Sequence, residues 1–125
     1  MANDLGTLAQ VAVTFRDLPK AIAWYRDVLQ LPLMFETNGM AFFAMGDVRL
    51  MMTVPELPEY DHPASVLYFR VGSIDVTHAE LVDRGVEFDD PPHLIGKMGA
   101  SEIWMAFFRD TEEHLLAITE ERAAA

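Results

Sequence analysis

An α+β fold of two βαβββ modules, with sheets curled around a shared cleft and helices outside, is predicted by three observations. The chain has 125 residues, enough for one compact domain and too few for two ordinary ones. The order strand, helix, three strands occurs twice, with a repeat of about 55 residues. The helical stripe Leu18, Ile22 and Tyr25 of the first half has its counterpart in Ile74, His78 and Leu81 of the second. The expected organisation is therefore one domain over 1–125, with module one at 7–54, a linker at 55–64 and module two at 65–120.

The elements follow in order. Residues 8–16 read as a strand, with Val11, Val13 and Phe15 on one face and Gln10, Ala12 and Thr14 on the other. Asp17 is the expected N-cap of a helix that tolerates Pro19 in its first turn. Leu18, Ile22, Tyr25 and Leu29 form its apolar face, and Pro32 is expected to end it. Strands at 33–37, 40–45 and 48–54 are separated by the hairpin turns Asn38-Gly39 and Gly46-Asp47. The proline- and acid-rich stretch 55–64 lacks apolar periodicity and reads as the linker, with a solvated His62. In module two the expected strands are 65–71, 86–88, 102–109 and 114–120, with a helix closed by Gly85 and a turn at 110–113. The tail 121–125 is expected to fray. Each module alone leaves one sheet face bare, and joining two modules turns those faces toward a common pocket.

Composition narrows the partners. Nine basic residues against 20 acidic ones give a net charge of -11, which repels phosphate backbones and anionic membranes. No nucleic-acid or membrane partner is expected. Cysteine is absent, so disulfides, thiolate metal sites and cysteine nucleophiles are excluded. The N-terminal residues lack a basic region followed by a long apolar run, and a cytoplasmic location is expected. No glycine-rich phosphate loop, Gly-x-Ser-x-Gly elbow or His-Glu-x-x-His motif occurs. Eight methionines in so small a chain point to an adaptable apolar surface.

Several motifs together carry a family resemblance. They are Val11-Ala12-Val13, Asp17-Leu18, Trp24-Tyr25-Arg26-Asp27-Val28-Leu29, Gly46-Asp47-Val48-Arg49-Leu50, Leu67-Tyr68-Phe69-Arg70-Val71 and Phe107-Phe108-Arg109-Asp110. From about Leu8 to Glu120 the chain resembles the vicinal-oxygen-chelate superfamily: glyoxalase I, bleomycin-resistance proteins and extradiol dioxygenases. In the metal-using members, four strand positions supply His or Gln, Glu, His and Glu to one divalent ion. Carried over, these positions fall on Gln10, Met51, Val66 and Ala117. Methionine, valine and alanine cannot hold a hard cation, so no metal and no other cofactor is expected. The family's Asp-Pro-Asp-Gly-Asn turn reads Asp110-Thr111-Glu112-Glu113-His114 here, a change expected to alter local turn geometry only.

Strand alternation around the former ligand positions puts Gln10, Arg49, Met51, Tyr68 and Arg70 on the expected cleft lining. Arg49 or Arg70 would hold a carboxylate or phenolate, unless each pairs with a nearby acid at a sheet edge. Trp104 would either stack on a planar ligand or serve as a core residue or subunit contact. His93 and Glu102 form a second constellation, read as an acid/base or polar-binding pair or as a structural loop contact. His78 is expected to pack beneath its helix and His114 to be partly exposed. The leading expectation is a metal-independent small-molecule binder with an apolar, Met- and aromatic-lined cleft for an aromatic or anionic ligand. The rivals are an enzyme of lyase, isomerase or dioxygenase type using His93 and Glu102 or an unrecognised metal site, and a dimeric structural module without a ligand. Relatives often pair, so the resemblance also implies a homodimer.

Overall fold

Asp17 opens the first helix by accepting a hydrogen bond from the Lys20 backbone N–H at 3.2 Å, with Pro19 in the first turn, where no donor is needed. The computed structural model describes residues 5–55, 58, 61 and 65–123. The chain divides into two compact units, Met1–Ala64 and Ser65–Ala125. His62 and most of the 55–64 linker lie outside the described residues.

Unit one contains β1 (Gln10–Thr14), α1 (Leu18–Ala23), a π-helical turn (Trp24–Val28), β2 (Leu33–Thr37), β3 (Met40–Met45) and β4 (Val48–Thr53). Its sheet runs β1-β4-β3-β2, with β1 parallel to β4 and the remaining pairs antiparallel. Leu18, Ile22 and Tyr25 are buried, as the apolar spacing predicts. The π-turn adds a residue to the last turn, closing Leu29 N–H on the Trp24 carbonyl at 3.2 Å and leaving Leu29 half-buried. The helix stops before Pro32. Gln30 takes a left-handed φ of 59°, and Leu31 N–H closes on the Tyr25 carbonyl at 3.0 Å, so a backbone cap ends the helix. Tyr25 seats its ring against Phe15 at 5.8 Å and Phe43 at 6.1 Å, which identifies the α1 side of the sheet. Val13, Leu50, Met52 and Ala41 share that side and are buried.

Unit two repeats the arrangement with β5 (Leu67–Arg70), α2 (Ile74–Asp83), β6 (His93–Met98), β7 (Ser101–Arg109) and β8 (Leu115–Ala123) in the order β5-β8-β7-β6. Again the first strand is parallel to the last. Ser73 caps α2 through Val76 N–H at 3.3 Å. Gly85, at φ 92°, lets Val86 N–H reach the Leu81 carbonyl at 2.9 Å. Buried Phe108, Ala106, Leu116 and Ile118 face α2. His78 packs on Phe88 at 4.4 Å between ring centroids, in keeping with a packed role.

Three elements of unit two differ from the sequence expectation. Residues 86–88 are not a strand. Phe88 makes one isolated bridge to Phe108, and Asp89 N–H bonds the Phe107 carbonyl at 2.9 Å. Pro91 and Pro92 cannot donate to the ladder, so pairing with β7 resumes only at His93. The segment 93–98, outside the expected strands, is therefore a strand with a bulge between Leu94 and Gly96. The strand β8 also runs on to Ala123 rather than fraying after Glu120, because Arg122 bonds Asp75 at 2.9 Å and Glu120 at 3.0 Å. No helix among the described residues is long and apolar enough to cross a membrane.

Candidate functional site

Strand alternation turns Gln10, Arg49 and Met51 to the face of the first sheet opposite α1. Gln10 and Arg49 are register partners on parallel strands. The Arg49 Nε–H donates to Gln10 Oε1 at 3.2 Å, and Gln10 Nε2 donates to Met51 Sδ at 3.5 Å. The three predicted residues are thus one hydrogen-bonded set, with an exposed guanidinium at one end and a thioether at the other.

In the second sheet Tyr68 and Arg70 take the face opposite α2. Tyr68 is opposite Ala117 in register, and Ala117 is opposite Phe107. The Tyr68 and Phe107 rings meet edge to face at 6.0 Å on either side of the fully buried Ala117. Arg70 pairs with Glu121 at 3.3 Å, the sheet-edge acid pairing weighed against a ligand role for it.

His93 and Glu102 are not brought together. His93 is opposite Met105, on the same face as Tyr68, and its Nδ1 lies 3.1 Å from the Pro91 carbonyl. Glu102 is opposite Lys97 and Arg122, on the α2 face, and accepts from Trp104 Nε1 at 3.1 Å. The sheet itself separates imidazole from carboxylate. Trp104 also faces α2, away from Tyr68 and Arg70, with the Arg122 guanidinium 4.4 Å from its ring centroid. It works with Arg122 and Glu120 to fasten the start of α2. Glu120 accepts from Ile74 N–H at 2.7 Å, and that bond, followed by the one from Arg122, holds its carboxyl below the usual carboxylate range.

The four positions to which the resemblance assigns metal ligands do not suit a hard divalent ion. Gln10 offers one amide oxygen, already bonded to a guanidinium whose charge would repel a cation. Met51 offers a soft thioether, while Val66 and Ala117 offer no donor. Among the described residues, no group of three His, Asp or Glu side chains is placed to hold a metal.

Two features escaped the sequence reading. Phe35 and Phe42 stack at 4.7 Å on the same face as Met51. Their register follows from the Asn38-Gly39 and Gly46-Asp47 hairpins, so the signal was present in the turns. The second is a polar knot in the β7–β8 turn. The buried Asp110 carboxylate accepts from Glu112 N–H at 2.8 Å, His114 N–H at 3.0 Å and the His114 ring at 2.9 Å. His114 is accordingly mostly covered, with 18% of its side chain exposed.

A family model described as the Glyoxalase/Bleomycin resistance protein/Dioxygenase superfamily matches residues 7–118. The uncharacterized protein YraH of Bacillus subtilis (strain 168) is 26% identical over 89% of this chain and 95% of its own length. Among solved structures, TnmS3, an antibiotic binding protein from Streptomyces sp. CB03234, superposes with a TM-score of 0.76 at 19% identity, covering 95% of this chain and 98% of that one. A lactoylglutathione lyase from Agrobacterium tumefaciens superposes with a TM-score of 0.72 at 18% identity, covering 93% and 94%. Both are likenesses of fold.

Proposed function

The chain belongs to the glyoxalase/bleomycin resistance protein/dioxygenase superfamily, and from that premise we propose that it is a small-molecule-binding member acting without a metal. The observation that carries this reading is the Gln10, Arg49 and Met51 set. It puts a guanidinium held by a neutral amide beside an apolar surface, which suits an aromatic or anionic ligand better than a cation. The fold serves both an antibiotic binding protein and a lyase, so the side chains and not the fold must discriminate. A lyase or isomerase reading built on His93 and Glu102 has less support, since a proton shared by the two would have to cross the sheet. We also propose a cytoplasmic location, which cell fractionation tests, and a homodimer, which sedimentation of the purified chain tests.

Binding is separated from catalysis by recovery of the ligand. A bound aromatic acid, held with the protein for hours and released by denaturation, should return with unchanged mass. Elemental analysis should find no stoichiometric zinc, nickel, iron or manganese. Turnover abolished by His93→Ala or Glu102→Gln would overturn the binding reading, and a stoichiometric metal would overturn the metal-free part of it.

A further inference from the structure

We infer that the α1-free face of the first sheet takes a flat aromatic carboxylate, with the ring laid across the strands on Met51, Phe42 and Phe35 and the carboxylate at Arg49. This rests on the binding reading above and specifies its ligand. Strand register supplies the argument. Ala12 is opposite Met51, Met51 is opposite Phe42, and Phe42 is opposite Phe35, so four apolar side chains form one row from β1 to β2. The Phe35 and Phe42 rings stack at 4.7 Å and 26°, and Phe35 keeps 48% of its surface exposed. These stacked, near-parallel rings, Phe35 exposed and Phe42 half-buried, stand beside a thioether and present apolar edges on which another flat ring packs edge to face.

The charge at the end of the row selects the substituent. In a chain with 20 acids and 9 bases, an exposed arginine has ready access to a carboxylate, as Arg70 shows with Glu121. Arg49 instead bonds a neutral amide through Nε and, among the described residues, forms no ion pair. Fixing Nε orients the guanidinium plane, and a charge that meets no carboxylate among the described residues suits a planar carboxylate from a ligand. Arg49 and Met51 are two residues apart on one strand, about 7 Å, so the carboxylate must be joined to the ring directly or through a very short link.

The experiment titrates 2-naphthoate and its neutral analogue 2-naphthamide into the full chain by calorimetry, using wild type, Arg49→Met and Phe35→Ala. Wild type should prefer the acid by about tenfold. Arg49→Met should erase that preference and leave the amide affinity nearly unchanged, while Phe35→Ala should weaken both probes several-fold. A preference that survives Arg49→Met overturns the inference while the binding reading stands. So does a loss of self-association in Phe35→Ala with unchanged probe affinity, which would mark the face as the seat of a second copy. If wild type takes up neither probe, the inference falls. The binding reading falls with it only if a chemically diverse library also yields no ligand in the same assay.

Discussion

The Glu120 carboxylate, carried by the last strand, accepts the backbone N–H of Ile74, the first residue of α2, at 2.7 Å. This bond satisfies a helix-end donor from outside the helix and ties α2 to its sheet. Glu120→Ala should cost about 1–3 kcal/mol, because the N–H loses its acceptor while Ile74 stays buried. The same carboxyl titrates below its ordinary value of 4.5 owing to the Ile74 bond and then Arg122. A lowered folded-state pKa stabilises fully above the unfolded value, and the contribution is lost as pH falls through the lower, folded one. The stability difference between wild type and Glu120→Gln in urea should therefore be constant near neutrality and shrink below about pH 4.5. A difference that grows on acidification would contradict the assignment.

Asp110 is expected to be the most sensitive polar position of the second unit. Its side chain is fully covered and accepts from two backbone N–H groups and the His114 ring. Asp110→Ala should cost about 3 kcal/mol, and His114→Ala clearly less, because the backbone bonds to Asp110 survive it. Equal losses in denaturant melts would show that the ring contact, and not the turn, is what matters.

His93 and Glu102 occupy opposite faces of one sheet and should be energetically independent. A double-mutant cycle with His93→Ala and Glu102→Ala should give a coupling below about 0.5 kcal/mol. Coupling above 1 kcal/mol would mean that the two side chains meet.

Trp104 should matter for stability and not for ligand. Its ring carries Arg122 and its indole N–H bonds Glu102. Trp104→Ala should destabilise by about 3 kcal/mol, through lost apolar burial and the exposed Arg122 cluster. Titration with 2-naphthoate should give the affinity of wild type; a large loss would return Trp104 to the ligand surface.

Gly85 sits at φ 92° with open space where a Cβ would stand. Gly85→Ala should therefore cost about 1–2 kcal/mol from backbone conformation alone, read as a lower urea midpoint at constant slope. A neutral substitution would mean that the helix end adjusts.

Much of the architecture was written locally. Asp17 and Ser73 cap the helices, Gly85 closes α2, and the Asn-Gly and Gly-Asp turns set hairpin register. These are short-range stereochemical choices that a few neighbouring residues make. The repeat of strand, helix and three strands, and the face assigned to Gln10, Arg49 and Met51, follow from alternation in the same way. What only the tertiary structure decided depends on partners distant in the chain. The segment 93–98 became a strand because β7 offered it an edge, which propensity in a proline-rich stretch did not reveal. His93 and Glu102 ended on opposite faces because a bulge and an antiparallel register, not sequence proximity, set their orientation. Arg70 found Glu121 and Arg49 found Gln10, a difference between two similar exposed arginines that lies in which side chain the neighbouring strand presents.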